Sequence, residues 1–355
     1  MKPTVSICIP TYNGSAYLPE CLDSALSQTY SDFELLIIDD CSSDDSVEIA
    51  NTYAGRDSRI QVLVNDHNLG LVGNWNRSVQ LSRGEWVKFV FQDDLVLPEC
   101  LRRMLSVATS FGTPIVSCAR DFIFEPNTPE ENRQNYLNQQ AQIQASFRDS
   151  NQWSAQQCSE AALQWIGRNL LGEPTAVLLH RSVFERFGWF NPHLCNQCDL
   201  EYWIRVASNT GAVHIPEILA TFRVHAGAMS AYLTQTLVRR YRVEIIDPLL
   251  IVHDYAFDPL YAGLRAVAAN RQPRIDLPAE FWRRALGALW FARQAANDPS
   301  QQDSSLLEEW RKVAHDYPRL TAIPFSARIR SKWRALKNAV SSQVGRQKAA
   351  NQSLD

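Results

Sequence analysis

The sequence predicts an α/β fold: a mixed, mainly parallel sheet with flanking helices, followed by a helical C-terminal extension. In the first 94 residues, short apolar segments alternate with segments whose apolar residues recur at helical spacing. Alternation of this kind is typical of parallel sheets with right-handed crossovers. The apolar segments are continuous, which suits strands covered on both faces. From Leu237 onward the strand pattern gives way to helical periodicity.

Four strands and three helices account for the first 94 residues. The predicted strands are Val5–Ile9, Phe33–Ile38, Ile60–Val64 and Trp86–Phe91. Turn-forming residues follow each strand. The first helix between them carries Leu18, Leu22, Ala25 and Leu26 on one face. The second helix carries Val47, Ile49 and Ala50, and the third runs from Leu71 to Leu81.

The next segments are less regular. Leu101, Met104, Leu105 and Ala108 predict a helix, and Pro114–Cys118 predicts a strand. Gly172–Arg181 predicts a turn that leads into a strand, and Cys198–Ala207 predicts the start of a helix. Residues 125–157 are rich in Gln, Asn and Ser and have little periodicity. We expect a loop there, either a mobile lid near a substrate site or a surface insertion without a role.

These patterns divide the chain into three parts. Residues 1–235 form a predicted α/β domain that includes the polar insertion, and residues 236–325 form a helical region. Residues 326–355 form a basic tail with no acidic residue before Asp355. A basic amphipathic segment can lie on an anionic membrane surface, and a solvated tail is the alternative.

Composition narrows the choice of partner and compartment. The net charge of −3 over 355 residues gives no general case for nucleic-acid binding. The eight cysteines are scattered without a disulfide framework, which indicates a reducing, cytoplasmic environment. A strand begins almost at the N-terminus, so we expect no signal peptide. The chain has no run of 18 apolar residues, so we expect no membrane span.

Polar clusters follow three of the predicted strands: Thr11–Asn13, Asp39–Asp40 and Asp93–Asp94. Strand ends of this kind share one edge of a doubly wound sheet, where ligands bind. Tyr12 could stack on a base, Asp40 could accept a base N–H, and Asp94 could bind a cation bridging two phosphates. The chain has neither a dinucleotide-binding glycine motif nor a P-loop. The alternative is an ordinary turn at Asp93–Asp94.

Five segments in order carry a resemblance to a known family. They are Val5–Asn13, Ser27–Glu34, Ile38–Asp44, Asn68–Asn76 and Gly84–Asp94. In their motifs and spacing, about residues 1–230 resemble the family 2 glycosyltransferases. The catalytic domain of that family has the nucleotide-binding fold called GT-A.

The resemblance implies a site for a nucleotide-diphosphate sugar, with UDP as the preferred carrier. The acid equivalent to Asp40 contacts the base in that family, and an Asp-x-Asp-type motif binds Mg²⁺ or Mn²⁺. Here Gln92 replaces the first acid of that motif, so we expect Asp94 to bind the metal and Asp93 to contact the sugar or ribose. The implied nucleotide-sugar-binding residues are Pro10, Thr11, Tyr12, Asn13, Asp40, Asn68, Asn76, Asp93 and Arg223.

The second half of the resemblance supplies the catalytic base. Cys198-Asp199 resembles the family's Glu-Asp motif, with Cys198 in place of the Glu, which makes Asp199 the expected general base. A favourable charge at a helix N-terminus is the alternative. His225 resembles a residue that binds the metal or the diphosphate, and a packed strand with an exposed His is the alternative.

The implied activity is inverting transfer of one sugar to a hydroxyl of a glycan or lipid-linked acceptor, as in polysaccharide or glycolipid synthesis. We find no Gln-x-x-Arg-Trp, the signature of processive synthases. A non-catalytic nucleotide-sugar or carbohydrate-binding protein remains an alternative because fold does not fix function. A nucleotidyltransferase is a weaker one, since the chain lacks a glycine-rich triphosphate loop near its start.

Overall fold

The computed structural model describes residues 2–147, 150–227, 236–297, 304–322 and 324. These residues form one sheet of nine strands with helices around it. The strands are β1 (Val5–Thr11), β2 (Phe33–Asp39), β3 (Ile60–Val64), β4 (Trp86–Phe89), β5 (Leu95–Val96), β6 (Ile115–Phe124), β7 (Gln152–Trp153), β8 (Val177–His180) and β9 (Ala212–Val224). Their order is β3-β2-β1-β4-β8-β6-β9-β5, and β7 pairs with β9.

The first four strands are parallel and the rest of the sheet is mixed. β1 lies between β2 and β4, and both pairings are parallel. β8 runs antiparallel to β4 and β6, whereas β6 and β9 are parallel. The register sets Thr11 opposite Asp39, so β1 and β2 end at the same level. The mixed, mainly parallel sheet predicted from the sequence is confirmed.

Helices cover both faces of the sheet. They are α1 (Leu18–Leu26), α2 (Ser46–Ala54), α3 (Gly70–Leu81), α4 (Cys100–Phe111), α5 (Glu130–Ser146), α6 (Ala155–Gln164), α7 (Ser182–Phe187), α8 (Cys198–Thr210), α9 (Leu237–Tyr241), α10 (Asp247–Phe257), α11 (Ala262–Asn270), α12 (Leu277–Asn297) and α13 (Ser305–Asp316). The predicted C-terminal helical region is therefore present. Among the described residues, no helix has both the length and the apolar character needed to cross a membrane.

Two apolar cores lie on opposite faces of the sheet because successive strand residues point to opposite sides. Ile7 and Ile37 belong to one core, and Cys8 and Leu36 belong to the other. The helices that follow residue 236 pack into the core that contains Cys8. The C-terminal region therefore shares a core with the sheet that carries the site.

The loop predicted for residues 125–157 is wrong over much of its length. Residues Glu130–Ser146 form α5, a helix of 17 residues in which Gln140 and Ile143 are buried. Its Gln, Glu and Ala residues favour helix, but so few apolar residues fall on one face that periodicity could not reveal it. The predicted basic tail, 326–355, lies outside the described residues.

Candidate functional site

A cavity of about 1860 Å³ opens at the carboxyl ends of β1, β2 and β4. It brings together nine of the residues that the sequence predicted for the site: Pro10, Thr11, Tyr12, Asn13, Asp40, Asn68, Asp93, Asp199 and His225. Three other predicted residues, Asn76, Asp94 and Arg223, are absent from its lining. Nine of the twelve predicted residues therefore line one cavity, and the roles assigned to them stay predictions.

Asp94 is fully buried beneath the cavity. Its Oδ2 accepts a hydrogen bond of 2.6 Å from the Thr175 hydroxyl, and its Oδ1 accepts one of 3.0 Å from the backbone N–H of Arg223. Burial raises the pKa of Asp94 well above its usual range, and the negative charge of Asp93 adds to this effect. This geometry argues against the metal role predicted for Asp94, because both oxygens already accept hydrogen bonds and the residue is absent from the cavity lining.

Asp93 and His225 form the polar pair that faces the cavity. Their Oδ2 and Nε2 atoms lie 2.9 Å apart, and both residues line the cavity. Among the described residues, no group of three or more His, Cys, Asp or Glu side chains is arranged to hold a metal ion. A cation that is also held by two substrate phosphates needs only one or two protein ligands. Asp93 and His225 fit that requirement.

Arg223 lies behind this pair rather than in the cavity. Its Nη2 donates to the Glu20 carboxylate at 2.5 Å, and its Nε donates to the backbone carbonyl of Asp93 at 3.0 Å. The guanidinium also lies over the ring of Tyr17, 4.8 Å from its centroid. Arg223 therefore holds the backbone of Asp93, in place of the predicted contact with the nucleotide sugar.

Asn76 is also structural. Its carboxamide forms two hydrogen bonds of 3.0 Å with the backbone N–H and carbonyl of Phe190. Asn74 takes its place in the cavity wall, where it donates to the carbonyl of Ile38 at 2.9 Å. Residues two positions apart on an α-helix point in nearly opposite directions, so Asn74 and Asn76 cannot lie on the same face.

The Asp40 carboxylate orders the turn that follows β3. Its Oδ1 accepts hydrogen bonds of 2.8 Å from Asn65 Nδ2 and from the backbone N–H of Leu69, and its Oδ2 accepts one of 2.9 Å from the N–H of Gly70. Asn68 donates to the backbone carbonyl of Asp40 at 3.0 Å. Asp40 and Asn68 thus shape one wall of the cavity together.

Gln92 holds the backbone of Tyr12 in place. Its Oε1 accepts a hydrogen bond of 2.8 Å from the N–H of Tyr12, and its Nε2 donates to the carbonyl of Tyr12 at 3.2 Å. The Tyr12 ring stays 45% exposed at the cavity edge. A Cβ on Gly14 would lie 2.2 Å from Gln92 Oε1, so only glycine fits against this contact. Gln92, which replaces an expected acid, therefore both accepts from and donates to the Tyr12 backbone, which requires an amide side chain.

Asp199 lies in the first turn of α8 and faces the cavity. Burial raises its pKa to about 7, the N–H of Leu200 opposes this shift, and the negative charge of Glu173 adds to it. The Asn169 Nδ2 donates to Asp199 Oδ2 at 3.0 Å. A carboxylate with a pKa near neutrality that lines a cavity has the properties of a general base.

A chain of buried polar contacts links this base to α5. Glu173 forms an ion pair with Arg120 on β6, with 2.9 Å between Glu173 Oε1 and Arg120 Nη2. The carboxamide of Gln140 on α5 accepts from Arg120 Nη1 at 2.8 Å and donates to the Arg120 carbonyl at 2.9 Å. The polar insertion is therefore joined to the charge that helps to set the pKa of Asp199.

The C-terminal region reaches the same site through Asp247. This fully buried carboxylate accepts hydrogen bonds from the backbone N–H groups of Cys195, Asn196 and Gln197 at 3.0, 2.8 and 3.2 Å. Burial raises the pKa of Asp247 to about 6, although the N–H group of Asn196 opposes the shift. The segment that enters α8 is thus fixed from outside residues 1–235.

Sequence reasoning missed four groups that shape the site. They are Asn169, Glu173, Asp247 and the clamp, by which we mean the two hydrogen bonds between the Gln92 amide and the Tyr12 backbone. The position of Gln92 was part of a recognised motif, but its contact with Tyr12 depends on how two loops meet. Asn169 and Asp247 lie 30 and 48 residues from Asp199 along the chain and show no local pattern. Folding alone brings them together.

Comparisons with known proteins agree with this architecture. The model of the family described as Glycosyl transferase family 2 matches residues 6–188 of the chain. An uncharacterized protein of Mycobacterium tuberculosis (strain CDC 1551 / Oshkosh) is 30% identical over 272 residues, which cover 76% of this chain and 81% of that protein.

Two solved structures share the fold. TarS 1-349 of S. aureus, in complex with UDP-GlcNAc, has a TM-score of 0.58 at 16% identity, with 91% of this chain and 82% of that chain covered. The mannosyltransferase PcManGT of Pyrobaculum calidifontis, in complex with GDP-Man and Mn²⁺, has a TM-score of 0.53 at 17% identity, with 94% and 88% covered. At these identities the likeness is one of fold.

Proposed function

Because the chain belongs to glycosyl transferase family 2, we propose that it is an inverting, metal-dependent glycosyltransferase that moves a single sugar from a UDP-linked donor. The acceptor is a hydroxyl group of a glycan or of a lipid-linked glycan, in the synthesis of a polysaccharide or cell-surface glycan. TarS, which has the same fold, was crystallised with UDP-GlcNAc, which favours a UDP-linked donor.

One observation carries the proposal: the placement of Asp199 in the same cavity as Tyr12, Asp40 and Asp93. The last three lie at the ends of parallel strands, where nucleotides bind in open α/β sheets. Asp199 comes from the first turn of α8 and has a pKa raised to about 7. A nucleotide site and a general base that share one cavity suit transfer between two bound substrates.

Asp93 and His225 are the residues that would hold a divalent cation. PcManGT, which has the same fold, was crystallised with GDP-Man and Mn²⁺. When bound, such a cation supplies Lewis-acid stabilisation of the charge that builds up on the leaving diphosphate. The backbone of Asp93 is held by Arg223, and the neighbouring Asp94 is held by the Thr175 hydroxyl and the Arg223 N–H. These contacts hold Asp93 in place before the donor arrives.

The chain's own residues then divide the reaction between them. Tyr12, held by Gln92, and the turn ordered by Asp40 form the nucleotide side of the cavity. The Asp199 carboxylate takes the proton from the acceptor hydroxyl as its oxygen bonds to the anomeric carbon. The bond from that carbon to the diphosphate breaks on the opposite face, so the configuration inverts and the nucleoside diphosphate leaves.

The proposal also includes the domain bounds, the compartment and the contact with the membrane. We place the catalytic domain at residues 1–235, the helical region at 236–325 and the basic tail at 326–355. The eight cysteines are free thiols, which suits the reducing cytoplasm. The basic tail would bring the enzyme to the inner face of the membrane, where a lipid-linked acceptor is found.

The test is release of UDP from a panel of UDP-sugars, with and without Mn²⁺ and with a mixture of candidate acceptors. GDP- and TDP-sugars serve as comparison donors, and stabilisation against thermal unfolding identifies those that bind. We expect binding and metal-dependent turnover of at least one UDP-sugar. A protein that binds UDP-sugars tightly but turns over none of them under any condition would be the non-catalytic binding protein, and the proposal would be wrong.

A further inference from the structure

The cavity is larger than one nucleotide sugar requires. Its volume of about 1860 Å³ is roughly twice the upper end of the range of about 300–1,000 Å³ for ordinary small-molecule pockets. The residues at the strand ends account for the nucleotide part. The remaining lining comes from α5, from residues 165–170 and from residues 196–200. This second part of the cavity has room for the acceptor.

The α5 face that lines the cavity is uncharged. The lining residues on this helix are Asn135, Tyr136, Asn138, Gln139, Gln142, Ile143, Ala145 and Ser146. The charged residues of the helix, Glu130, Glu131 and Arg133, all lie in its first turn, outside the cavity. Four of the eight lining residues carry a carboxamide, which both donates and accepts hydrogen bonds. Sugar hydroxyls do the same, so the two chemistries match.

Neighbouring segments continue this chemistry. Asn169, Asn196 and Gln197 add three further carboxamides to the cavity wall. Within the described residues, Gln197 Oε1 is buried and has no hydrogen-bond partner. A rotation of this side chain would present an unpaired polar group to a ligand hydroxyl. These carboxamides, including the unpaired oxygen of Gln197, therefore also indicate a polyhydroxylated ligand.

An aromatic pair lies at one end of the α5 face. The rings of Tyr136 and Phe222 both line the cavity, with their centroids 5.7 Å apart. Aromatic rings provide rigid apolar surface. A sugar ring carries its C–H bonds on its faces and its hydroxyls at its rim. A wall that combines aromatic faces with carboxamides therefore fits a sugar on both counts.

The charges around this part of the cavity disfavour an anionic ligand. Arg168 is the cation that the described residues contribute here, and its Nη1 donates to Gln142 Oε1 at 2.9 Å. Glu173 and Asp199 line the same region and would repel a phosphate or a carboxylate. The lining residues of α5 extend from 135 to 146, or roughly 16 Å along the helix, which exceeds the length of one sugar ring.

We propose that the α5 face is an acceptor subsite for a neutral glycan of at least two sugar residues. This rests on the proposed function in one respect, since it names the acceptor of that reaction. The Tyr136–Phe222 pair supports one ring of the glycan, and the carboxamides bind its hydroxyls. The terminal sugar then presents its hydroxyl to Asp199, and the remaining sugars extend along α5.

The experiment separates glycan binding from donor chemistry. The full chain is screened without donor against an array of neutral di- to tetrasaccharides and against sulfated, sialylated and phosphate-bearing oligosaccharides. Hits are titrated by saturation-transfer NMR, and UDP affinity is measured on the same samples. We expect neutral oligosaccharides to bind and disaccharides to bind more tightly than the matching monosaccharides.

Matched variants test the position of the subsite. Gln139→Ala removes a carboxamide from the α5 face, whereas Gln144→Ala makes the same change at an exposed position of that helix outside the cavity lining. We expect Gln139→Ala to weaken glycan binding about fivefold to tenfold, as for the loss of one hydrogen bond. UDP affinity should change less than twofold, and Gln144→Ala should bind as the unchanged protein does.

Three results would overturn the inference. They are no binding of any neutral glycan on the array, equal effects of Gln139→Ala and Gln144→Ala, and preferential binding of anionic glycans. Glycan binding that depends on Gln139 in a protein with no transfer activity would support the subsite and remove the proposed function. Turnover of a UDP-sugar onto an acceptor whose binding is insensitive to Gln139→Ala would support the proposed function and contradict the subsite.

Discussion

The Nδ2 of Asn169 lies 3.0 Å from Oδ2 of Asp199 and 2.9 Å from the carbonyl oxygen of Gly172, so one amide group links the proposed base to the turn before Glu173. The Oδ1 of Asn169 accepts from the N–H groups of Leu171 and Gly172 at 3.1 and 3.0 Å. The orientation of Asp199 is therefore fixed by a segment that ends next to Glu173, whose negative charge raises the pKa of Asp199.

The first prediction concerns Asp199 itself. Asp199→Asn keeps the shape of the side chain but cannot take a proton, so we expect kcat to fall about 10²–10⁴-fold, the range for a lost general base. UDP affinity, measured by titration calorimetry, should stay within about twofold because the nucleotide side of the cavity is unchanged. Full activity in this variant would remove Asp199 from the mechanism.

The second prediction concerns the pH dependence of transfer. Asp199 acts when deprotonated, and its pKa is raised to about 7, mainly by burial and further by the negative charge of Glu173. The rate should therefore fall as the pH drops through about 7, which a profile of kcat/KM between pH 5 and 9 would measure. Glu173→Gln removes that charge and leaves Arg120 to favour the carboxylate, so the acidic limb should move to lower pH. An unchanged limb in Glu173→Gln would contradict this assignment.

The third prediction concerns the clamp on Tyr12. Gln92→Glu cannot donate to the Tyr12 carbonyl and places a carboxylate oxygen against it, so we expect UDP to bind about tenfold more weakly. Gln164→Glu, the same change at an exposed position outside the cavity lining, should bind UDP normally. The two dissociation constants, compared by calorimetry, decide the point. Equal affinities would mean that the clamp has no part in donor binding.

The fourth prediction separates the two neighbouring acids. Asp93→Asn should weaken the Mn²⁺ dependence of transfer and leave thermal stability nearly unchanged. Asp94→Ala should instead lower the free energy of unfolding by about 2 kcal/mol or more, because the Thr175 hydroxyl and the Arg223 N–H lose their buried acceptor. Urea titrations and Mn²⁺ titrations of both variants measure these effects. A loss of Mn²⁺ response in stably folded Asp94→Ala would restore the original expectation for that residue.

Periodicity and strand-end position predicted the part of the site that depends on regular structure. Each parallel strand delivers the residues at its carboxyl end to the same edge, so the positions of Thr11, Asp40 and Asp93 followed from the order of strands. The choice between Asp93 and Asp94 did not. β4 ends at Phe89, and the direction of each later side chain depends on the turn that follows.

Contacts between segments that are distant along the chain could not be predicted from sequence patterns. The α5 helix has a polar surface with few buried residues, so its helical period was hidden among Gln and Asn side chains. The sequence predicts Asn76 for the site, whereas Asn74 on the same helix lines the cavity, because Asn76 packs against Phe190. Arg223, on β9, lies outside the cavity lining for the same reason, since its guanidinium pairs with Glu20 on α1.

The hydrogen bonds of Asp247 affect how this enzyme could be divided or recombined. Three successive backbone N–H groups just before α8 have their acceptor on a helix that begins at residue 247. A fragment cut after residue 235 would leave these donors without that carboxylate, and a chimera with an unrelated C-terminal half would inherit the same defect. Residues 1–235 therefore depend on a later part of the chain for this loop, and any exchange of segments between relatives would have to move Asp247 together with the loop.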